Sequence, residues 1–330
     1  MPPTAGHDIR LSYLWEDDGS GDPDFMTASP DDSDNKPFGS DARLTTREGS
    51  NNAVRTFDPN SREAREIIEQ EFEGSWSVEF TLTNPWWVKG VIADASSSGT
   101  DPTTHTYDGA VPFPMRLIEG NESTGNEYEL KGCVIASCTV QVSVGGTVDV
   151  TLDGAYADEE QVVTDDVASL TAQPTVEYRP LHFAQATVER PTGTTLSLVQ
   201  NVNMSIENNT DLLRGLGSRF ATAYSPKART TDVSYGDIVE DDSEMKRMYG
   251  DSAASSPEDK VDNETSISLV VDNGETGSAK NSLQFDLTKN ITDTYSRSGA
   301  GDVESDLEGE LSEMTASVSA TADNDTATAR

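Results

Sequence analysis

Between Ile68 and Leu82 the chain alternates strictly enough to dictate its local structure. Every second residue reads Ile68, Gln70, Phe72, Gly74, Trp76, Val78, Phe80, Leu82; the intervening positions read Glu69, Glu71, Glu73, Ser75, Ser77, Glu79, Thr81. A period of two sends successive side chains to opposite faces of a β-strand, so one face packs and the other carries carboxylates into water. At about 3.3 Å per residue, the fourteen residues Glu69–Leu82 would span roughly 46 Å, beyond an ordinary strand. Only the start admits a helix. Asn60-Ser61-Arg62-Glu63 has the form of a capping box, and Ala64, Ile67, Ile68 and Phe72 fall at helical spacing before Gly74. The expectation is a short turn or helix over Ser61–Glu66, then the strand, then Asn84-Pro85-Trp86-Trp87.

Charge sets the second constraint. The 330 residues carry 59 Asp and Glu against 23 Lys and Arg, a net charge of −36, and only eight of the cations are lysines. Self-repulsion of this size strains a compact fold in dilute buffer, whereas at about 1 M salt the Debye length falls to roughly 3 Å and exposed charges are screened. An acid-rich, lysine-poor chain rich in Ala, Thr, Ser and Val points to a halophile, an archaeon or its virus. Four Trp, nine Tyr and nine Phe on clear strand patterns argue against a disordered acidic chain. Any single carboxylate is accounted for by salt adaptation of the surface.

A second amphipathic element runs from Tyr128 to Asp153. Val134, Ala136, Cys138, Val140, Val142 and Val144 form one face, opposed by Ser137, Thr139, Gln141 and Ser143; the return strand sets Val148, Val150 and Leu152 against Asp149, Thr151 and Asp153. A three-residue loop, Gly145–Thr147, pairs Val144 with Val148 and keeps both faces pure. Cys133 and Cys138, five apart on this strand, face opposite sides and read as structural thiols.

Elsewhere the expected strands are Ile9–Trp15, a partner within Arg43–Phe57, a hairpin of Phe183–Glu189 with Leu196–Glu207, then Thr230–Val239, Ser266–Val271, Leu283–Leu287 and Met314–Ala320. Short helices are expected at Val88–Ala95, at Leu212–Leu216 behind an Asn208–Asp211 cap, and, as helix or turn, at Ser243–Tyr249. Residues 16–40, turn-rich and acidic, read as an extended arm reaching a neighbouring subunit, and residues 322–330 as a frayed tail. No composition break marks a second domain. The fold class is mainly β with two or three short helices, one domain over 1–330.

No catalytic motif is present: GxSxG, P-loop, GxGxxG and HExxH are all missing, and His7, His105 and His182 share no motif with the cysteines. The chain therefore reads as non-enzymatic, with no cofactor and no specific metal site; its acidic loops would meet only non-specific cations from salt. Without a basic patch, phosphate binding is not expected. No apolar run reaches the roughly 18 residues of a membrane helix, and no secretion signal opens the sequence.

Residues 55–90, from Arg-Thr-Phe-Asp-Pro-Asn-Ser-Arg through Glu-Gly-Ser-Trp-Ser-Val-Glu-Phe-Thr-Leu-Thr-Asn-Pro-Trp-Trp, resemble the tail tube proteins of tailed viruses of haloarchaea. Gly132–Gly154, Phe183-Ala-Gln-Ala-Thr-Val, Met204-Ser-Ile-Glu-Asn-Asn-Thr and Leu216-Gly-Ser-Arg219 follow in the same order. The resemblance implies a β-sandwich with a flanking helix, in which each subunit lends two long β-hairpins to an inner barrel of a hexameric ring. Rings stack through loops and arms into a hollow tail whose acidic lumen conducts DNA without holding it. On that reading Glu69, Glu71, Glu73, Glu79, Asp149 and Asp153 line the lumen. Phe72, Trp76, Val78, Phe80, Trp86, Trp87, Val140, Val142 and Val150 pack the barrel and core. The implied partners are further copies of the chain, the tape measure protein and DNA in the lumen, and tail terminator and baseplate proteins. The implied location is the virion tail, assembled in the host cytoplasm. The alternatives are another virion β protein (baseplate, terminator or capsid decoration) or a haloarchaeal surface-layer or adhesion module.

Overall fold

The computed structural model describes residues 9–18, 22–26, 35–57, 59, 62–93, 95–98, 102–109, 111–163, 171, 178–238, 246, 249–250, 253–258, 265–298, 306–313 and 318–324. Its strands in chain order are β1 (Ile9–Trp15), β2 (Ser40–Ser50), β3 (Val54–Phe57), β4 (Ala64–Ile68), β5 (Glu73–Thr81), β6 (Ala95–Ser98), β7 (Thr103–Tyr107), β8 (Met115–Asn121), β9 (Asn126–Ser143) and β10 (Val148–Tyr156). There follow β11 (Asp158–Val163), β12 (Ala186–Glu189), β13 (Val199–Glu207), β14 (Asp211–Leu213), β15 (Ala223–Ser225), β16 (Thr230–Ile238), β17 (Thr265–Asp272), β18 (Ser282–Ser298), β19 (Asp306–Glu313) and β20 (Val318–Asn324). Among the described residues, helical structure is confined to α1 (Val88–Val91), 3-10 turns at Phe183–Gln185 and Gly277–Ala279, and the helical positions Lys246 and Tyr249, which fall within the expected Ser243–Tyr249 helix or turn. The fold is mainly β and of β-sandwich type.

Sixteen of these strands form one antiparallel sheet in the order β2-β5-β10-β9-β13-β16-β19-β18-β20-β7-β6, with β8 and β11 on the far half of β9, β1 on β8, and the β12–β17 pair on β18. So long a sheet must curl, and its apolar sides meet in one core. Trp87 marks the junction: its ring lies 5.6 Å from Phe80 of β5 and 6.4 Å from Phe285 of β18, bridging the two walls. The single turn α1 is clasped from outside. Asn208 Nδ2 donates to the Val91 carbonyl at 2.8 Å, and Arg229 donates to the Ile92 carbonyl at 2.8 Å and to Asn208 Oδ1 at 2.9 Å. These bonds satisfy the C-terminal carbonyls that so short a helix cannot pair itself.

Several expectations are corrected. The alternating stretch is not one strand: β4 ends at Ile68, residues 69–72 connect, and β5 starts at Glu73. Arg62 and Glu63 form a bend and Ala64–Ile68 is a strand paired with β3, so the described part of Ser61–Glu66 is bend and strand rather than helix. The β9–β10 register pairs Val148 with Val142, two residues from the expected Val144. The faces survive because the slip is even. Neighbours draw the turn open: Val144 N donates to Gln200 O at 2.9 Å, and Thr147 bridges His182. The strand β12 pairs with β17 and meets the following segment through the Glu189–Thr195 bridge, the Leu196 N to Val188 O bond and the Gly193 amide on the Glu189 carboxylate, while β13 runs between β9 and β16. Leu212 lies in the small β14–β15 hairpin, not a helix.

The described parts of the 16–40 segment fold back on their own chain. Asp24 N bonds the Glu16 carbonyl at 3.0 Å, and Lys36 exchanges backbone bonds with Tyr13 at 2.8 and 3.0 Å. Residues 19–21 and 27–34 lie outside the described residues. So do 314–317 of the expected last strand, most of Ser243–Tyr249, and 325–330 of the expected tail; residues 322–324 belong to β20.

Candidate functional site

Six neighbouring strands, β2-β5-β10-β9-β13-β16, share one wall. Its inner side is apolar. Trp76, Val78 and Phe80 of β5, Val148, Val150 and Leu152 of β10, Cys138, Val140 and Val142 of β9, Val202, Met204 and Ile206 of β13 and Val233 and Tyr235 of β16 are all buried. Trp86 and Trp87 are buried behind it, and Phe72 is half-buried at the wall's end, its ring 5.8 Å from those of Tyr156 and Phe220.

Strict alternation then dictates the other side, and the pairing register assembles it into rows. Glu79 lies opposite Thr151, Thr151 opposite Thr139, Thr139 opposite Ser205, and Ser205 opposite Asp232. One step along, Thr81 faces Asp149, Asp149 faces Gln141, and Gln141 faces Asn203, which faces Ser234. On the other side run Ser77, Asp153, Ser137, Glu207 and Thr230. Across β5, β10, β9, β13 and β16, every residue named in these rows is exposed or half-exposed, and none is apolar or basic.

Two close approaches make this wall continuous. Ala136 bulges out of the β9–β10 ladder, where Asp153 pairs with Ser137 but Gly154 pairs with Ile135. The bulge brings Gly154 so near its neighbours that a Cβ there would lie 2.2 Å from the Val134 carbonyl and 2.6 Å from the Trp76 ring. Trp76 Nε1 donates to the Ala155 carbonyl at 3.1 Å, which keeps its one polar atom satisfied inside the core.

The expected lining residues divide. Glu73, Glu79, Asp149 and Asp153 share the polar face. Asp149 accepts hydrogen bonds from Thr147 at 2.8 Å and Thr81 at 3.1 Å, and Asp153 accepts one from Ser137 at 3.3 Å. Glu79 pairs with Arg43 of β2 at 2.6 Å. Glu69 and Glu71 sit apart, in the β4–β5 connector, where Glu69 meets Arg219 at 2.8 Å and Glu71 meets Arg214 at 3.9 Å. Sequence reasoning missed Glu207 and Asp232. Their alternation with Ile206 and Val233 was visible, but nothing local says that β13 and β16 continue the wall.

Away from the face, Glu16 is fully buried. Its carboxylate accepts the amides of Met26 at 2.9 Å and Gly132 at 3.1 Å and lies 3.7 Å from Arg116, which also pairs with Glu129 at 2.8 Å. Burial pushes its pKa up to about 7, against the lowering pull of those two amides and Arg116. Both cysteines are buried and free, and burial raises their thiols well above the usual range, which keeps them protonated and inert. Among the described residues no group of three or more His, Cys, Asp or Glu is placed to hold a metal ion, and no helix is long and apolar enough to cross a membrane.

A family model described as phage tail tube protein matches residues 6–322. No curated protein matches the chain.

Proposed function

The chain belongs to the phage tail tube protein family, a family of structural virion proteins, and we propose that its copies close into hexameric rings that stack into a DNA-conducting tail tube. The observation that carries this reading is the polar face of the six-strand wall. It bears Glu73, Glu79, Asp149, Asp153, Glu207 and Asp232, and along the paired rows its one described cation is Arg43, on the edge strand β2, held by Glu79. Such a face repels a passing polyanion over about a Debye length while offering it no cation to grip. DNA slides past it.

The same wall supplies a reason to close. The strand β2 pairs on one side only, with β5, among the described residues. A free sheet edge invites another strand, and a ring of copies removes the edge. The tape measure protein and DNA would occupy the lumen, terminator and baseplate proteins the tube ends, and the acidic, lysine-poor surface fits assembly in the salt-rich cytoplasm of a halophilic archaeal host.

The test is electron microscopy of the purified chain in about 2 M KCl, with DNA retention by the formed tubes measured as the salt is lowered toward about 0.1 M. Long hollow tubes are expected, and a triple variant, Asp149→Lys, Asp153→Lys and Glu207→Lys, should form tubes that retain DNA in a salt-dependent way. Dispersed monomers, or tubes whose triple variant holds no more DNA than the parent, would overturn the reading.

A further inference from the structure

The hairpin formed by β3 and β4 belongs to neither wall. Its strands pair only with each other, Val54 opposite Ile68 and Arg55 opposite Ile67. Its base is well fixed: Arg219 donates to the Gln70 carbonyl at 3.0 Å and to Asn51 Oδ1 at 2.8 Å, and Arg214 donates to the Phe72 carbonyl at 2.6 Å. Beyond the base its described residues are all exposed or half-exposed. Phe57 is 58% exposed and Ile67 60%, with Val54 and Ile68 also exposed. An isolated two-stranded hairpin is marginal in water, and a hairpin carrying four bare apolar side chains needs a surface to pack on.

That surface exists at the other end of the same wall. The strand β5 begins beside the hairpin base at Glu73 and ends at Thr81, roughly 26 Å away at about 3.3 Å per residue. There Leu82 N bonds the Val148 carbonyl at 2.8 Å, and Val148 pairs with Val142. Val142 opens a groove lined by Val144, Phe183, Leu196 and Val199, with a cavity of 260 Å³. Leu198 is exposed close by, between two of these lining residues in sequence. Backbone bonds hold its walls open: Val144 N to Gln200 O at 2.9 Å, Phe183 N to Gly146 O at 3.1 Å and Leu196 N to Val188 O at 2.9 Å. An apolar cavity of about 150 Å³ already accepts benzene, so this one takes a phenylalanine ring.

Charge argues for the same match. In a chain of net charge −36, residues 54–68 are neutral, with Arg55, Arg62 and Arg65 against Asp58, Glu63 and Glu66. The groove lining contains no charged residue. These are surfaces on which two highly acidic copies can meet without repulsion. We propose that the β3–β4 hairpin of one copy seats Phe57 and Ile67 in the Val144/Phe183/Leu196 groove of the next copy. A contact between two different patches at opposite ends is heterologous and propagates without closing, which makes a filament. This inference rests on the tube reading and names the joint between successive copies.

The experiment follows polymerisation of the full chain in high salt by sedimentation and microscopy. Phe57→Asp and Ile67→Asp, both at exposed hairpin positions, and Leu198→Asp at the groove should each raise the critical concentration by roughly tenfold or more, tenfold being about 1.4 kcal/mol per joint. Unchanged thermal melting of each variant will show that the fold is intact. Mixing Phe57→Asp with Leu198→Asp chains should restore one joint per pair of rings and give double rings rather than tubes, because each variant keeps the half that the other lacks. Wild-type tubes with Phe57→Asp and Ile67→Asp tubes at the same critical concentration would overturn the hairpin joint while leaving the tube reading standing. A wild-type chain that never polymerises would overturn both. If Leu198→Asp polymerises normally while the hairpin variants do not, the occupant is wrong and hairpin meets hairpin.

Discussion

At the scale of single residues, Glu16 is the group whose burial most exceeds what its partners return. Two amides and the neighbouring Arg116 favour the carboxylate, yet burial wins and its pKa rises from 4.5 to about 7. A raised acid binds its proton more tightly in the folded chain than in the unfolded one. Its contribution to stability is therefore complete below pH 4.5 and is lost as the pH climbs through about 7. The loss is about 3 kcal/mol at 1.36 kcal/mol per pKa unit. Glu16→Gln removes the titration, so its melting temperature relative to the parent should improve from about pH 5 to about pH 7 and level off above it, and a difference independent of pH would refute the assignment. Nothing in the sequence marks Glu16, one of 59 acids. What sets it apart is Gly132 and Arg116 arriving from β9 and β8, contacts about a hundred residues or more away.

At the scale of elements, alternation was the reliable guide. Strand β1 matches its expected bounds, and β5, β10, β13 and β16 bury the residues that the period of two assigns to the core. Partner choice was not legible. The β9–β10 turn looked like a local problem, but Gln200 and His182 set it from outside; the Asn208–Asp211 segment looked like a helix cap, but Asn208 is spent on α1 and Leu212 pairs with Tyr224. The bulge at Ala136 was equally hidden, and it makes Gly154 a severe constraint. Gly154→Ala would push a methyl group into the Val134 carbonyl and the Trp76 ring, and should cost about 1–3 kcal/mol or more, because backbone cannot yield as a flexible side chain can. Gly215→Ala, with nothing within 4 Å of the added atom, should leave melting unchanged within about 0.5 kcal/mol. Equal melting of the two variants would show that the β9–β10 approach is looser than described.

At the scale of the whole molecule, two explanations compete for the same carboxylates. Salt adaptation spreads acids everywhere, whereas a repelling conduit needs them on one face. The sequence could not separate these, because Glu69 and Glu79 look alike until one proves to lie in a connector and the other on the wall. Replacing Glu73, Glu79, Asp149, Asp153, Glu207 and Asp232 by their amides moves the net charge only from −36 to about −30. If the bulk charge governs folding, the rise of melting temperature with KCl, expected as screening shortens the Debye length from about 10 Å at 0.1 M to about 3 Å at 1 M, should persist nearly unchanged. Retention of DNA by assembled tubes should nevertheless increase, since the face that meets the phosphates has lost its repulsion. Six amide replacements placed instead at exposed acids off the wall, among them Glu122, Asp211 and Glu275, should leave DNA retention as it was. Should both sets alter retention alike, the acids act through net charge alone, and the wall has no special part in passing DNA.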